Sequence, residues 1–291
     1  MHEQKHLGVV LSDDMKWTKH INLIRGRAHK KIGLLFRSSM YLSTEQKSLY
    51  YKMAIRPLVE YASVLFDNCT KQNMLCLEGV QRRAALVCTG AMKRTESMKV
   101  LSDLGWETLE NRRQKAKLIL FYKIKNGLVP EYLTVLLPPN IEISNRFIFR
   151  HAVKKPFFKS RLKAYETSYF PSTSKSWELL PSDVVTSKSI CSFKKCLSTC
   201  TLFCRTECDK KSYLFPYCSG YYGRILNQIR YELSQLRSHL FTYNIIDNPM
   251  CPNCYHYIET TKHFFKDCSS NVVPRIKLLN KLSALLNECI S

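Results

Sequence analysis

The apolar positions of this chain fall mostly at steps of three and four, the spacing of one face of an α-helix. Over residues 18–36, Ile21, Ile24, Ala28, Ile32 and Leu35 form such a face, opposite Lys19, Arg25, Arg27, Lys30 and Lys31. Ser43 and Gln46 make a capping-box pair that opens a second helix. Its pattern predicts Leu49, Met53, Leu58, Tyr61 and Leu65 inward, with a kink at Pro57. A third helix is predicted over 72–89, with Leu75, Leu77, Val80, Ala84 and Val87 inward and Arg82 and Arg83 outward. A fourth covers 94–104 and ends at Gly105. A fifth runs from Leu109 to Asn126 and stops at Gly127, with Pro130 beyond. Helical spacing returns over 189–205 and over 224–240, where Ile225, Ile229, Leu233, Leu236 and Leu240 recur. A last helix begins at Pro274, with Ile276, Leu279, Leu282 and Leu286 on one side.

Two stretches break this rhythm. Leu7 to Leu11 is an unbroken apolar run that reads as a short buried strand, and with no partner evident before it the expectation is the edge of a larger domain. Between 136 and 189 the periodicity weakens, and RFIFRHAVKKPFFKSRLK carries seven basic and four aromatic residues with no acid, which suits a strand or an extended arm better than a helix. The chain is therefore expected to be mainly α. Residues 1–17 form a strand remnant, 18–135 a helical domain, 136–222 a basic, partly irregular connector, and 223–291 a helix, a small metal-binding knuckle and a terminal helix.

Charge narrows the partner class. The 291 residues include 45 Lys or Arg against 23 Asp or Glu, a net charge of +22. Such self-repulsion is best tolerated beside a polyanion, and the interleaving of cations with aromatics points to RNA or DNA rather than a membrane. No window approaches the ~18 apolar residues of a membrane span. The first residues are polar, without the apolar run of a secretory signal, so the chain is expected in the nucleus or cytoplasm and not secreted. In a reducing compartment the thirteen cysteines read as thiols or metal ligands rather than disulfides.

One cysteine group has ligand spacing. CPNCYHYIETTKHFFKDC places Cys251-x2-Cys254-x8-His263-x4-Cys268 within a single short segment. A Cys-x2-Cys turn lets two thiolates reach one ion, and an imidazole and a third thiolate close a tetrahedron. The pattern predicts structural zinc, with Phe264 and Phe265 packed beneath. His256 is a competing ligand, but it follows Cys254 too closely to join the same tetrahedron without strain. A second group, Cys196, Cys200, Cys204 and Cys208, recurs every four residues. On a straight helix those thiols lie too far apart to share one ion, so they read as small core side chains.

Enzyme signatures are sparse. The sequence has no phosphate-binding Gly-rich loop, no GxSxG, no HExxH and no dinucleotide fingerprint. Asp13-Asp14 follows a strand and reads as a turn with Asp as a helix-entry residue, rather than a magnesium-binding pair.

Several segments taken in order resemble a known family. They are LGVVLSDDMKWTKHI, IRPLVEYASVLFDNC, LEGVQRRAALVCTG, LSDLGWETLENRRQKAKLILFYKIKNGLVPEYL, FPSTSKSWELLPSDVVTSKSICSFKKCL and the Cys-Cys-His-Cys knuckle. Together they resemble the C-terminal portion of a reverse transcriptase from a non-LTR, LINE-type retrotransposon of the jockey or RTE-like groups. Two departures stand out: Leu65-Phe66 occupies a place where the family carries a nearby Trp, and Glu178 follows Trp177 where the family has Asn. The resemblance implies an RNA-directed DNA polymerase as parent, with its magnesium-binding palm aspartates before Met1, so this chain alone is expected to be non-catalytic. It further implies a thumb-like bundle resting on a primer–template backbone. Candidate phosphate contacts are Arg25, Lys30, Lys31, Arg82, Arg83, Arg112, Arg113, Lys115 and Lys117, with Arg150, Lys154 and Lys155 on the basic arm. The alternative is a stand-alone, zinc-containing adaptor that binds RNA or protein.

Overall fold

The computed structural model describes residues 3–14, 16–137, 161–200, 220–277 and 279–280. It is mainly helical, with one two-stranded sheet among the described residues. The predicted strand does have a partner. Strands β1 (Glu3–His6) and β2 (Val9–Ser12) pair antiparallel, with Glu3 opposite Ser12 and His6 opposite Val9. Leu7 and Gly8 form the two-residue turn, both with positive φ (46° and 86°), so Leu7 is exposed rather than buried in a strand. The hairpin rests on the bundle through buried Val9, through the Val10 N–H donated to His20 Nδ1 (3.3 Å), and through the Tyr61 hydroxyl donated to the Leu7 carbonyl (2.7 Å).

Helix α1 (Thr18–Ser38) buries the predicted face of Ile21, Ile24, Ala28, Ile32 and Leu35. Helix α2 (Thr44–Tyr50) opens with the expected capping box of Ser43 and Gln46. It then widens into a π turn at Tyr51–Ile55 before α3 (Arg56–Glu60). Pro57 has no N–H, and its ring would press on the preceding turn. Widening that turn, with the Arg56 N–H reaching back to Tyr51 O, accommodates the ring. The predicted inward face of this segment is corrected: Leu49, Met53, Tyr61 and Leu65 are exposed, while Tyr51, Ile55, Val59 and Phe66 are buried. Both faces are apolar, so spacing alone did not distinguish them. Tertiary packing does, because Tyr51 stacks on Trp106 with ring centroids 3.9 Å apart, and the Trp106 indole N–H donates to Ser48 Oγ (3.0 Å).

Helix α4 (Lys71–Thr89) packs against α1, and α5 (Ser97–Asp103) packs on α4. Leu77, Val80 and Ala84 are inward as predicted, while Leu75 is exposed. Gly90 ends α4 with φ +69°, and a Cβ there would lie 2.9 Å from Arg224 Cβ and 3.0 Å from Arg224 Cα. That close approach lets α12 (Gly220–Arg230) dock on the end of α4, where Asn227 donates to the Thr89 carbonyl and Arg230 pairs with Asp103 at 2.8 Å. The single helix predicted over 224–240 is in fact two. Glu232 takes φ +56°, and the N–H groups of Glu232 and Leu233 close on the carbonyls of Ile229 and Gln228, a Schellman ending. Tyr231 and Leu233 enter the core, and α13 (Arg237–Thr242) starts afresh.

Helix α6 (Leu109–Lys125) joins two apolar cores. Its first residue, Leu109, belongs to the core of α1 to α5. Leu118, Phe121 and Tyr122 belong to a second core with Trp177, Phe193 and Leu197. Beyond the short α7 (Glu131–Thr134) and α8 (Lys163–Glu166), the second core is supplied by α9 (Tyr169–Glu178), α10 (Ser182–Val185) and α11 (Ile190–Thr199). Residues 169–199 of the expected connector are therefore largely helical and contribute buried side chains to this core, while residues 161–167 are exposed. Helix α11 ends at Thr199, so Cys200 is off the helix and buried, while Cys204 and Cys208 lie outside the described residues. Most of the basic arm, including Arg150, Lys154 and Lys155, also lies outside them.

Between the two cores, α6 holds its cations in ion pairs. Arg113 Nε lies 3.6 Å from Asp67 and its Nη2 lies 3.4 Å from Glu78. Lys117 Nζ meets Asp67 at 2.6 Å and donates to Ser172 Oγ at 3.0 Å. Arg112 bonds Glu60 and Glu107, and Lys115 bonds Glu107. The Arg113 and Lys117 side chains are only 5% and 4% exposed, which corrects the expectation that they meet phosphates. Replacing Asp67 by Ala leaves Lys117 without a carboxylate and Arg113 with Glu78 alone, and is expected to cost about 3 kcal/mol in urea unfolding. Two glycines of the α4 segment are expected to respond oppositely in thermal melts. Gly90→Ala destabilises by more than about 1 kcal/mol, since its φ disfavours a Cβ and Arg224 occupies the space. Gly79→Ala, where a Cβ meets nothing within 4 Å, stabilises by up to about 1 kcal/mol.

Candidate metal centre

The knuckle begins as a small ribbon. Met250 and Ile258 form an antiparallel bridge, the Cys251 N–H donates to Tyr257 O (2.8 Å), and the Glu259 N–H donates to Pro249 O (3.0 Å). The ribbon turns through Pro252 and Asn253, and the Tyr255 N–H closes on Cys251 O (2.9 Å) with Tyr255 at φ +57°. This turn aims Cys251 and Cys254 the same way. Thr260 Oγ1 then accepts the His263 N–H (3.1 Å), starting a short helical run that becomes a π turn at His263–Asp267. The Cys268 N–H donates to His263 O (2.8 Å), which closes the five-residue step and returns Cys268 toward His263.

The four predicted side chains converge. One ligand atom from each of Cys251, Cys254, His263 and Cys268 lies within 4.8 Å of the others. Cys251 Sγ is 3.9 Å from Cys268 Sγ, and Cys254 Sγ is 3.3 Å from His263 Nε2. Metal–sulfur bonds of about 2.3 Å and metal–nitrogen bonds of about 2.0–2.1 Å in a tetrahedron imply edges of about 3.5–3.8 Å. The donor set therefore fits a tetrahedral ion such as zinc, and all four positions are filled by protein, the arrangement of a structural rather than a catalytic site. Cys251, His263 and Cys268 are buried, whereas His256 is exposed and outside the cluster. Its contribution is through the main chain. The N–H of His256, joined by that of Tyr257, holds the Cys254 thiol well below its ordinary range, at about 6. Burial pushes Cys251 upward. Outside the cluster, burial pushes Cys88 up to about 12 and Cys69 up to about 11, values of inert thiols.

Glu259 fastens the knuckle to the rest of the chain, a role its sequence position does not signal. Its buried carboxylate accepts the Arg237 N–H at the start of α13 (2.8 Å), and its carbonyl accepts the Ser238 hydroxyl (2.8 Å). On the far side Arg275 donates to Cys268 O (2.7 Å). Phe264 and Phe265 meet edge to face and are half-buried.

The remaining candidates divide by environment. Arg25, Lys30 and Arg83 are exposed and Lys31 is half-buried. Burial, and then the charges of Arg83 and Arg25, lower the pKa of His29. Arg82 instead pins the loop after α4, donating to the carbonyls of Lys93 and Thr95. Asp14 accepts from Ser12 Oγ (2.5 Å) and the Lys16 N–H (3.0 Å), a turn role, but it does not enter the helix as expected, since the N-cap of α1 is Trp17 with no side-chain cap. Among the described residues no helix is long and apolar enough to cross a membrane. The chain matches no family model, no curated protein and no solved structure.

Elemental analysis of the purified chain is expected to give one metal ion per molecule. That ion is lost in Cys254→Ser and in Cys268→Ser and retained in His256→Ala, which keeps the backbone N–H. An ion surviving Cys254→Ser would place it elsewhere.

Proposed function

We propose that this chain is a zinc-containing nucleic-acid-binding module of the kind found in the C-terminal part of non-LTR retrotransposon reverse transcriptases, and that it is non-catalytic by itself. The observation that carries the reading is the closed four-ligand cluster at the end of the ordered, family-like segments. Zinc is the ion that three thiolates and one imidazole in a tetrahedron favour. Trp106, Trp177 and Phe193, which carry parts of the resemblance, are core residues, so the resemblance bears on the fold. The net charge of +22 remains after the α6 cations are matched by carboxylates, and the exposure of Arg25, Lys30 and Arg83, with Lys31 half-buried beside them, supports phosphate contacts there. A thumb-like role beside a primer–template follows from the same reading.

One observation favours the adaptor alternative. Tyr255, Tyr257 and Ile258 on the knuckle are exposed at 74%, 68% and 48%, an apolar tip suited to a protein partner. Salt titration separates the two. Affinity for RNA or DNA is expected to fall steeply from about 50 to 200 mM salt. The double variant Lys30→Gln/Lys31→Gln is expected to reduce the log–log slope by about 1.4–1.8, and Arg112→Gln to leave it unchanged. Affinity that stays flat with salt favours the adaptor.

A further inference from the structure

Two cavities meet along the loop that follows α4. The first, of about 500 Å³, lies between α1 and α4, with Ile32, Leu86 and Val87 on its floor and His29, Arg83 and Arg224 among its lining residues. The second, of about 460 Å³, lies between the loop and the α13 region, with Arg94, Leu233, His239 and Tyr243 in its lining. Ala91 and Lys93 line both, so the two run end to end. Among the described residues no Asp or Glu lines either one. At one end Phe36 is 58% exposed, and at the other the Arg94 guanidinium stands 5.2 Å over the Tyr243 ring. The Nδ1 of His29 is buried without a hydrogen-bond partner beside the first cavity.

We infer that this groove binds a single-stranded stretch of nucleic acid, with unpaired bases on its apolar floor and against Phe36, and phosphates on Arg83, Lys93, Arg94 and Arg224. The inference rests on the nucleic-acid reading above and assigns it a site and a strand state. A duplex turns its paired bases inward and presents phosphates and sugars, so an apolar floor contributes nothing to holding it. A single strand offers a π-face at every base together with a charge at every phosphate. The groove has both complements side by side, and its cationic lining is unopposed by carboxylates. An acidic peptide would match the charges but has no repeating flat apolar groups for the floor.

The test is fluorescence anisotropy on the purified full chain at one salt concentration. The probes are an unstructured pyrimidine RNA of about 12 nucleotides, a duplex of equal length and a poly-glutamate peptide. Gly33 lines the first cavity, and a Cβ there meets only Arg37 Nη1 at 3.8 Å, so Gly33→Leu fills the groove without changing charge or straining the helix. Lys93→Gln is the second groove variant and Lys71→Gln the control, each checked by a thermal melt. The expected result is tighter binding of the single strand than of the duplex by the unaltered chain. Both groove variants then weaken the single strand about five- to tenfold and spare the duplex, and the control changes neither. Equal binding of both nucleic acids, or single-strand binding untouched by Gly33→Leu and Lys93→Gln, overturns the groove while leaving the nucleic-acid reading intact. Binding of poly-glutamate alone overturns both.

Discussion

Helix α6 carries cations through the boundary between two apolar cores, and the fold depends on their being matched there. Arg113 and Lys117 sit where water does not reach, so each needs a carboxylate within a few ångströms. Asp67 lies between them, and Glu60, Glu78 and Glu107 complete the network. Burial alone would push Glu78 toward its neutral form, and Arg113 opposes that. The joint thus keeps α6 in one orientation relative to both cores. Among the described residues it also separates cations matched inside the fold from cations left exposed on α1, on α4 and on the loop beyond it.

The metal knuckle obeys a different constraint. Neither its cysteines nor His263 belong to the two cores. A segment this short cannot bury enough apolar surface to hold its own shape, and an ion held by these four side chains would supply its fold. Its attachment does not: Glu259 bonds the start of α13, and α13 follows Tyr231 and Leu233, which are set in the first core. A metal bound there would therefore act on the bundle chiefly through Glu259 and the short helix that it caps.

Features that depend on local chemistry were legible in the sequence. The ligand spacing of the knuckle, the capping box at Ser43, the end of α6 at Gly127 and the buried stripe of α1 all follow from neighbours a few residues apart. Features settled by distant contacts were not. Residues 49–65 have two apolar faces, and the stacking of Tyr51 on Trp106 selects between them. The cations of α6 resemble a solvated basic face until carboxylates from α3, α4 and the intervening loop are placed against them. The break at Glu232 lacks the glycine that usually marks such an ending, and the burial of Tyr231 and Leu233 accompanies it.

The division of charge is most directly tested by amide hydrogen exchange of the chain with and without a single-stranded RNA. The account predicts added protection in the second half of α1 and along the loop after α4, with no change over residues 109–117. Protection concentrated over residues 109–117, or no protection anywhere under conditions where the RNA is bound, would contradict it.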